Sequence, residues 1–325
     1  MICRQCFAEK VCRGADMSRP DIHADDYALS PNTSKDMLEC MRAGKLDSIS
    51  IVPNMSCFEE CMALLYTEIP RLPFLPLLSV HLDFVEGRSL AGQTAAPDLV
   101  RDGSDLMGLG WGGLFLASYL PGKRGRVKVQ LKREIRAQIA RVQQAVRKCV
   151  EIAEQAGVPC AQKGLRIDSH QHAHMIPVVW EAILETVSEE GYTLEYIRNS
   201  KEVLDVFLTD VSLYKTYRPI NFVKNRLLAV YSHKVDRFYK EQGMTQMYLW
   251  GLVMSGRMDR ERIERLYPKM QKKAQKAQRT LEILFHPGIT LQEEVTPEID
   301  KDAVEDFYLL KDRHVEKETV LGMEW

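Results

Sequence analysis

Residues 165–174 read Leu-Arg-Ile-Asp-Ser-His-Gln-His-Ala-His, a short apolar segment that runs into three histidines. The pattern of Leu165–Ser169 predicts a strand, and the polar cluster begins where that strand ends. A set of buried histidines satisfied at a strand-to-helix turn is the weaker interpretation of three imidazoles in five residues. The stretch therefore predicts both one strand of the sheet and a functional edge of that sheet.

Strand and helix patterns alternate on both sides of this stretch. The clearest helix covers Leu131–Ala156, where apolar residues recur at intervals of three and four, and Gly157 ends it. The other expected helices are Ser34–Ala43, Cys57–Tyr66 and Val178–Glu189. The other expected strands are Asp21–Ala24, Ser48–Val52, Leu75–Leu82, Thr193–Arg198 and Thr280–Phe285. This alternation predicts an α/β fold with mostly parallel strands and helices outside.

Several residues of types that bind metals or transfer protons lie at the ends of predicted strands or directly after them. They are Asp25, Asp26, His81, His170 and His286. In parallel sheets, functional residues gather at the carboxyl ends of strands, so we expect these side chains to share one site. A (β/α) barrel, distorted or incomplete, directs several strand ends to one point better than an open sheet does.

The carboxylates and the histidine stretch suit a metal site. Asp25 and Asp26 are adjacent, so at a strand end their side chains point to opposite sides, and one can bind metal while the other acts as a base. In an extended chain His170, His172 and His174 point the same way. We expect one of them to bind metal while the others orient water, substrate or that ligand.

His81 follows the apolar run 77–80, where a core histidine is about as common as a ligand. The need for a third ligand favours the metal role, because one carboxylate and two imidazoles leave positions open for zinc, magnesium, manganese or iron. His286, in His-Pro-Gly, is either part of a simple turn or an acid near the metal. Such a centre activates water and polarises a carbonyl, which suits hydrolysis of an amide or ester.

Composition limits the functional classes. The chain has 325 residues, 45% of them apolar and 27% charged, with a formal net charge of −1. This balance gives no general attraction to nucleic acid or to an anionic membrane. No run approaches the roughly 20 apolar residues of a membrane span, and the first residues lack the apolar core of a signal peptide. The scattered cysteines suit a reducing compartment. We therefore expect a cytoplasmic protein.

The expected organisation is a loose N-terminal extension over residues 1–18 and a single domain over 19–325. Cys3-x-x-Cys6 with Cys12 is a weak zinc motif because a fourth ligand is missing, and translation beginning at Met17 is an alternative for this end. Residues 86–125 are rich in Gly, Ser, Asp and Pro, which predicts an insertion over the mouth of the site. The aromatic residues of 200–260 form a cap or an interface, or pack in helical core, which is the preferred interpretation.

The sequence resembles the YdjC-like carbohydrate deacetylases, which include the chitooligosaccharide deacetylases, over roughly residues 20–290. The matching strings are His-Ala-Asp-Asp-Tyr-Ala-Leu-Ser at 23–30, Ser-Val-His-Leu at 79–82, Arg-Glu-Ile-Arg-Ala-Gln-Ile at 133–139, Asp-Ser-His-Gln-His-Ala-His-Met-Ile-Pro at 168–177 and Phe-His-Pro-Gly at 285–288. The resemblance implies a partly closed barrel-like fold. It also implies a deacetylase-like domain over 19–325.

The resemblance implies a hydrolase that removes acetyl groups from N-acetylated mono- or oligosaccharides, with one divalent metal ion, magnesium or zinc, and metal-bound water as nucleophile. It implies that Asp26, His81 and His170 bind the metal, that Asp25 is the catalytic base and that His286 lies at the reaction centre. The implied partner is a small acetylated saccharide, with no nucleic acid and no membrane, and the protein is able to form a homodimer.

The sequence departs from the family pattern beside the aspartates. Tyr27-Ala28 replaces the usual Phe-Gly, and His23 replaces the usual Asn. Ala28 predicts a turn without positive φ, or a local rearrangement. Two other functions remain open: a metal-dependent phosphoesterase, and a non-catalytic sugar-binding protein of the same fold.

Overall fold

The computed structural model describes residues 19–299, 308–309 and 312–325. The predictions for the extension 1–18, its cysteine motif and a start at Met17 lie outside the described residues.

Within these ranges the chain forms a seven-stranded sheet in which each neighbouring pair is parallel. The strands are β1 (Asp21–Tyr27), β2 (Ser48–Ile51), β3 (Leu77–Leu82), β4 (Leu165–Ser169), β5 (Leu194–Ile197), β6 (Met247–Trp250) and β7 (Thr280–Phe285). Their order in the sheet is β5-β4-β3-β2-β1-β7-β6. The helices are α1 (Pro31–Arg42), α2 (Phe58–Glu68), α3 (Gly110–Ala117), α4 (Pro121–Ala156), α5 (Pro177–Glu189), α6 (Pro219–Glu241), α7 (Arg260–Lys276) and α8 (Asp312–Gly322).

The sheet curls into a half-barrel. Arg198, directly after β5, reaches Glu282 of β7 and Asp25 of β1 with its guanidinium group, although several strands separate β5 from these two in the sheet order. At the two edges, the backbone N–H of Leu249 in β6 donates to the carbonyl oxygen of Lys201 at 3.0 Å. The predicted α/β fold, barrel-like and incomplete, is confirmed.

The core follows the predicted periodicity. The strand residues Ile49, Val80 and Ile167 are fully buried, as parallel strands covered by helices require. The apolar stripe of α4, including Leu131 and Ile139, packs against this layer. Burying one such side chain stabilises the fold by roughly 1.5–3 kcal/mol. None of the helices in the described ranges is long and apolar enough to cross a bilayer.

Several boundaries differ from the sequence prediction. The long helix α4 begins at Pro121, ahead of the predicted Leu131, because proline suits the first helical turn. Gln130, just before the predicted start, is buried and accepts a hydrogen bond from the backbone N–H of Asp98. The predicted insertion 86–125 thus contains α3 and the start of α4. Strand β6 and the helices α6, α7 and α8 were not predicted. Among the aromatic residues of 200–260, helical core packing is confirmed for Tyr239, which lies in α6 and is 2% exposed, whereas Tyr214 is exposed.

Candidate metal centre

A bulge in β1 separates the roles of its two aspartates. The register of β1 against β2 shifts between Ala24 and Tyr27, and Asp26 has φ 72°. Aspartate tolerates this left-handed backbone better than most residues, and bulges often redirect side chains beside functional sites. As predicted, the two carboxylates have different surroundings: Asp25 contacts Arg198, and Asp26 contacts His170.

The expectation of a turn without positive φ at Ala28 is wrong, because Ala28 has φ 68°. The chain must leave the bulge and enter α1 within three residues, and the backbone N–H of Leu29 donates to the carbonyl oxygen of Asp26. The backbone N–H of Ala28 donates to Ser34 Oγ at 3.0 Å. A left-handed alanine costs roughly 1–2 kcal/mol, so this turn is held by its hydrogen bonds and not by residue preference.

The three predicted metal ligands lie together at the carboxyl ends of β1, β3 and β4. Asp26 Oδ1 is 3.5 Å from His81 Nε2 and 3.3 Å from His170 Nδ1. One ligand atom from each residue lies within 4.8 Å of the others, and all three side chains are buried. The other oxygen, Asp26 Oδ2, accepts a hydrogen bond from Arg313 at 2.9 Å. One carboxylate oxygen and two imidazole nitrogens therefore face a common space.

The second nitrogen of each imidazole also has a partner. His81 Nδ1 donates to Asp168 Oδ1 at 2.7 Å, and His170 Nε2 lies 3.0 Å from the hydroxyl of Tyr308. Metal-binding histidines usually hydrogen-bond through the nitrogen that does not bind the metal, which fixes the ring and its tautomer. This arrangement leaves His81 Nε2 and His170 Nδ1 directed at Asp26. The donor set and its supporting contacts fit a divalent cation.

The charges of this cluster are strongly coupled. Burial opposes ionisation of Asp26, but the hydrogen bond and charge of His170 with the charge of Arg313 lower the pKa of Asp26 well below its usual value. Burial likewise opposes protonation of His170, yet Asp26 and Glu86 raise its pKa to about 10. Both neighbouring carboxylates Asp25 and Asp168 raise the pKa of His81 against its burial. Because an imidazole must lose a proton to bind a metal, binding here should depend strongly on pH.

Arg198 organises the carboxylates behind this cluster. Its two Nη atoms donate to both oxygens of Asp25, its Nη2 lies 3.2 Å from Asp168 Oδ2, and its Nε donates to Glu282 at 2.7 Å. Burial opposes ionisation of Asp25, but Arg198 and His81 hold the pKa of Asp25 well below its usual value. The predicted base is thus an oriented carboxylate beside the candidate metal ligands.

Two other clusters of acids and histidine occur in the described interior: Asp21 with His23 and Glu282, and His23 with Asp25 and Asp168. Their atoms already have partners. His23 Nδ1 and Nε2 bond Ser48 and Ser50 at 2.7 and 2.6 Å. The two oxygens of Glu282 accept from Arg198 and Tyr196. The cluster of Asp26, His81 and His170 therefore fits a metal better than these two do.

The expectation that alternate histidines of 170–174 share a face is wrong. His170–Met175 consists of 3-10 turns interrupted by a kink at Gln171 and His172, which have φ 50° and 56°, so the chain is not extended there. His172 Nδ1 bonds Ser200 Oγ at 2.9 Å. His174 bonds Ser169 Oγ through Nδ1 and the carbonyl oxygen of Arg198 through Nε2. Within the stretch, His170 is the residue that joins the candidate metal cluster, and His174 supports the turn.

His286 lies at the end of β7, close enough for the charges of Asp26 and Arg313 to affect it. Its backbone N–H donates to Glu316 Oε2 at 2.5 Å. Burial lowers the pKa of the His286 imidazole to about 4, so the ring is neutral at pH 7. A neutral imidazole must first accept a proton before it can donate one to a leaving group.

Comparison with known proteins agrees with the geometry. The chain matches the model of the YdjC-like protein family over residues 22–149 and 160–323. It belongs to this family. The family consists broadly of carbohydrate-modifying enzymes. The resemblance stated from the sequence is thereby confirmed.

The fold is similar to that of a solved structure from Enterococcus faecalis V583, described as a "putative cellobiose-phosphate cleavage protein". The two share 16% sequence identity and a TM-score of 0.50, with 92% of this chain and 89% of the other covered. At this identity the likeness shows the fold alone. A comparison with curated proteins finds no match.

The residues of this site that sequence reasoning missed include Glu86, Arg198, Tyr308 and Arg313. Arg198 was the last residue of a predicted strand in a sheet that helices cover, and a buried charge needs a partner, so a signal was available. Glu86 begins the predicted insertion. No sequence pattern marks Tyr308 or Arg313, because their contacts with the site depend entirely on tertiary structure.

Proposed function

We propose that this protein is a metal-dependent hydrolase that removes acetyl groups from N-acetylated mono- or oligosaccharides. The observation that carries the proposal is the convergence of Asp26, His81 and His170 beside an ion-paired Asp25. Membership of a family of carbohydrate-modifying enzymes supports a sugar substrate. An amide such as the N-acetyl group is the bond that a base next to an open cation site is suited to hydrolyse.

Asp26 Oδ1, His81 Nε2 and His170 Nδ1 would hold one divalent cation, magnesium or zinc. When bound, such an ion supplies Lewis acidity, which activates water and polarises a carbonyl. The protein's own contribution is to orient the ligands: Asp168 fixes the ring of His81, and Arg313 occupies the second oxygen of Asp26. The burial of the ligands limits competition from bulk water for these contacts.

Asp25 is the proposed base. Its carboxylate is ionised because Arg198 is paired with both of its oxygens. Oδ1 also lies 3.2 Å from His23 Nε2, so the second lone pair of Oδ2 is the one proposed to accept a proton from the attacking water. His81 Nδ1 lies 4.0 Å from Asp25 Oδ1, so the base is adjacent to a candidate ligand. This placement matches the requirement that a base lie within reach of the proton that it removes.

His286 is the first candidate to donate a proton to the departing amine. Because its pKa is lowered to about 4, it must gain that proton during the reaction. His172, which is half-buried, is the second candidate. His174 does not suit the role, since both of its ring nitrogens are hydrogen-bonded within the fold.

The test is release of acetate from a panel of N-acetylglucosamine monomers and oligomers, with protein reconstituted in magnesium or zinc and with chelated protein. We expect acetate only from the reconstituted protein. Absence of acetate across the panel with either metal would refute the deacetylase proposal. A parallel panel of phosphorylated sugars tests the phosphoesterase alternative, and calorimetric sugar binding without turnover would favour the non-catalytic one.

A further inference from the structure

We infer that Tyr308 and Arg313 are positioning residues that hold two of the three metal ligands, Asp26 and His170, in their binding orientation. Each contacts the polar atom of a ligand residue that does not face the common space. Tyr308 contacts His170 Nε2, and Arg313 contacts Asp26 Oδ2. The inference rests on the proposed metal site and adds that residues almost 300 positions after Asp26 complete that site.

Tyr308 fixes the tautomer of His170. The Tyr308 hydroxyl lies 2.8 Å from both oxygens of Glu86, so its single proton is directed to that carboxylate. Its oxygen is then an acceptor, and the group 3.0 Å away, His170 Nε2, must carry a proton. This leaves His170 Nδ1 as the nitrogen available to a metal. The Tyr308 side chain is fully buried and its ring stacks on that of His170, at 6.4 Å between centroids, so the ring is also held in place.

Arg313 fixes the carboxylate of Asp26. Its side chain is fully buried, its Nη2 donates to Asp26 Oδ2 at 2.9 Å, and its guanidinium carbon lies 5.6 Å from the centre of the Tyr308 ring. The two positioning residues therefore contact each other as well as their ligands. With Oδ2 occupied, Asp26 presents Oδ1 to His81 and His170, which favours monodentate binding of a cation.

A role confined to packing makes a different prediction from a positioning role. If Tyr308 only fills space, Tyr308→Phe keeps the ring and should leave metal affinity unchanged. If its hydroxyl sets the orientation of His170, the same substitution should weaken metal binding by about 10- to 100-fold, as is usual when the group behind a metal-binding histidine is removed.

The experiment measures Co²⁺ and Zn²⁺ dissociation constants by calorimetry, and the visible spectrum of the Co²⁺ form, for the full chain and its variants. The variants are Y308F and R313K. The matched controls are Y239F, a buried tyrosine whose hydroxyl bonds the backbone of Ile197, and R279K, a mostly buried arginine paired with Asp236. We expect weaker binding and a changed Co²⁺ spectrum for the first two variants, and wild-type values for the two controls.

Wild-type affinity and spectrum in folded Y308F and R313K would overturn the inference, as would absence of metal binding by the wild-type protein. If Y308F does not fold, Glu86→Gln provides the second test, because it replaces the carboxylate that accepts the Tyr308 hydrogen bond with an amide. Several-fold weaker metal binding by this variant supports the inference, and unchanged metal binding overturns it. Metal binding that follows these expectations without any acetate release would leave the inference standing and refute only the deacetylase activity.

Discussion

Arg198 donates from Nη1 and Nη2 to the two oxygens of Asp25, at 2.7 and 2.8 Å, across 173 positions of sequence. This pair crosses the inside of the curled sheet from the end of β5 to the end of β1. The same guanidinium also contacts Asp168 and Glu282. The buried guanidinium of Arg198 thus bridges strands that the curling of the sheet brings together, and it orients the proposed base Asp25.

Replacing this cation should destabilise the fold strongly. Arg198→Met leaves Asp25, Asp168 and Glu282 buried without their shared partner, and removing one partner of a buried ion pair costs about 3–5 kcal/mol. Urea unfolding measures the change. The control Arg260→Met removes an exposed pair with Glu264 and should cost less than about 1 kcal/mol. Equal stabilities of the two variants would contradict the role given to Arg198.

Asp25→Asn should separate catalysis from metal binding. The amide cannot accept the proton of the attacking water, so we expect turnover to fall about 100-fold or more. Metal affinity should stay within a few-fold of wild type, because Asp25 is not among the proposed ligands. Acetate release and calorimetric titration measure the two effects. The exposed control Asp205→Asn should change neither, and a D25N enzyme with near-normal turnover would exclude Asp25 as the base.

Asp168→Asn should weaken metal binding through His81. The amide is a poorer acceptor than the carboxylate for His81 Nδ1, and loss of such a contact typically lowers metal affinity 10- to 100-fold. Replacement of the histidine itself should give the largest loss of metal affinity, so His81→Gln should bind metal more weakly than Asp168→Asn. Replacement of the exposed His233 by Gln should leave metal affinity at the wild-type value. Elemental analysis after gel filtration reports the bound metal. Full occupancy in H81Q would contradict the assigned ligand set.

The free energy of unfolding should fall as the solution is acidified from about pH 6.5. Burial lowers the pKa of His174 to about 3, against about 6.5 in the unfolded chain. Between these two pKa values the His174 imidazole is protonated in the unfolded state but not in the folded state. The stability present above pH 6.5 is therefore lost as the pH falls towards 3. Urea unfolding between pH 4 and 8 measures the slope. His174→Gln should make this slope shallower; an unchanged slope would show that His174 is not its source.

Replacement by alanine should have opposite effects on stability at Gly125, within α4, and at Gly157, directly after α4. Gly157 follows the helix with φ 66°, where a β-carbon is strained, so Gly157→Ala should cost about 1 kcal/mol. Gly125 lies within the helix, and a β-carbon there meets no atom within 4 Å. Gly125→Ala should therefore stabilise the protein by about 0.5–1 kcal/mol. Thermal unfolding of the two variants decides, and shifts of the same sign would contradict the helix boundary.

Features that depend on local pattern could be predicted from the sequence. Strands such as Leu165–Ser169 and Thr280–Phe285 have the predicted bounds, and the rule that parallel strand ends meet placed Asp26, His81 and His170 together. Gln171 and His172 have a left-handed backbone, which departs from the extended chain that the spacing of the histidines assumes. His172 bonds Ser200 and is not one of the three residues of the candidate metal cluster.

The residues that contact the metal ligands through tertiary structure could not be predicted from local sequence pattern. Tyr308 and Arg313 come from the far end of the chain, and Arg313 lies 287 positions after Asp26, the residue that it contacts. The early start of α4 was missed because its first turns carry charged residues and glycines, so its apolar periodicity is weak there. The site could therefore be located from sequence, while the groups that orient its ligands could not.

The most direct measurement is a crystal structure of the protein soaked with Mn²⁺ or Zn²⁺, with anomalous diffraction to locate the ion. We expect one strong peak per chain, within bonding distance of Asp26 Oδ1, His81 Nε2 and His170 Nδ1. A peak elsewhere, or none at this cluster under conditions where the protein releases acetate, would contradict the proposed metal centre.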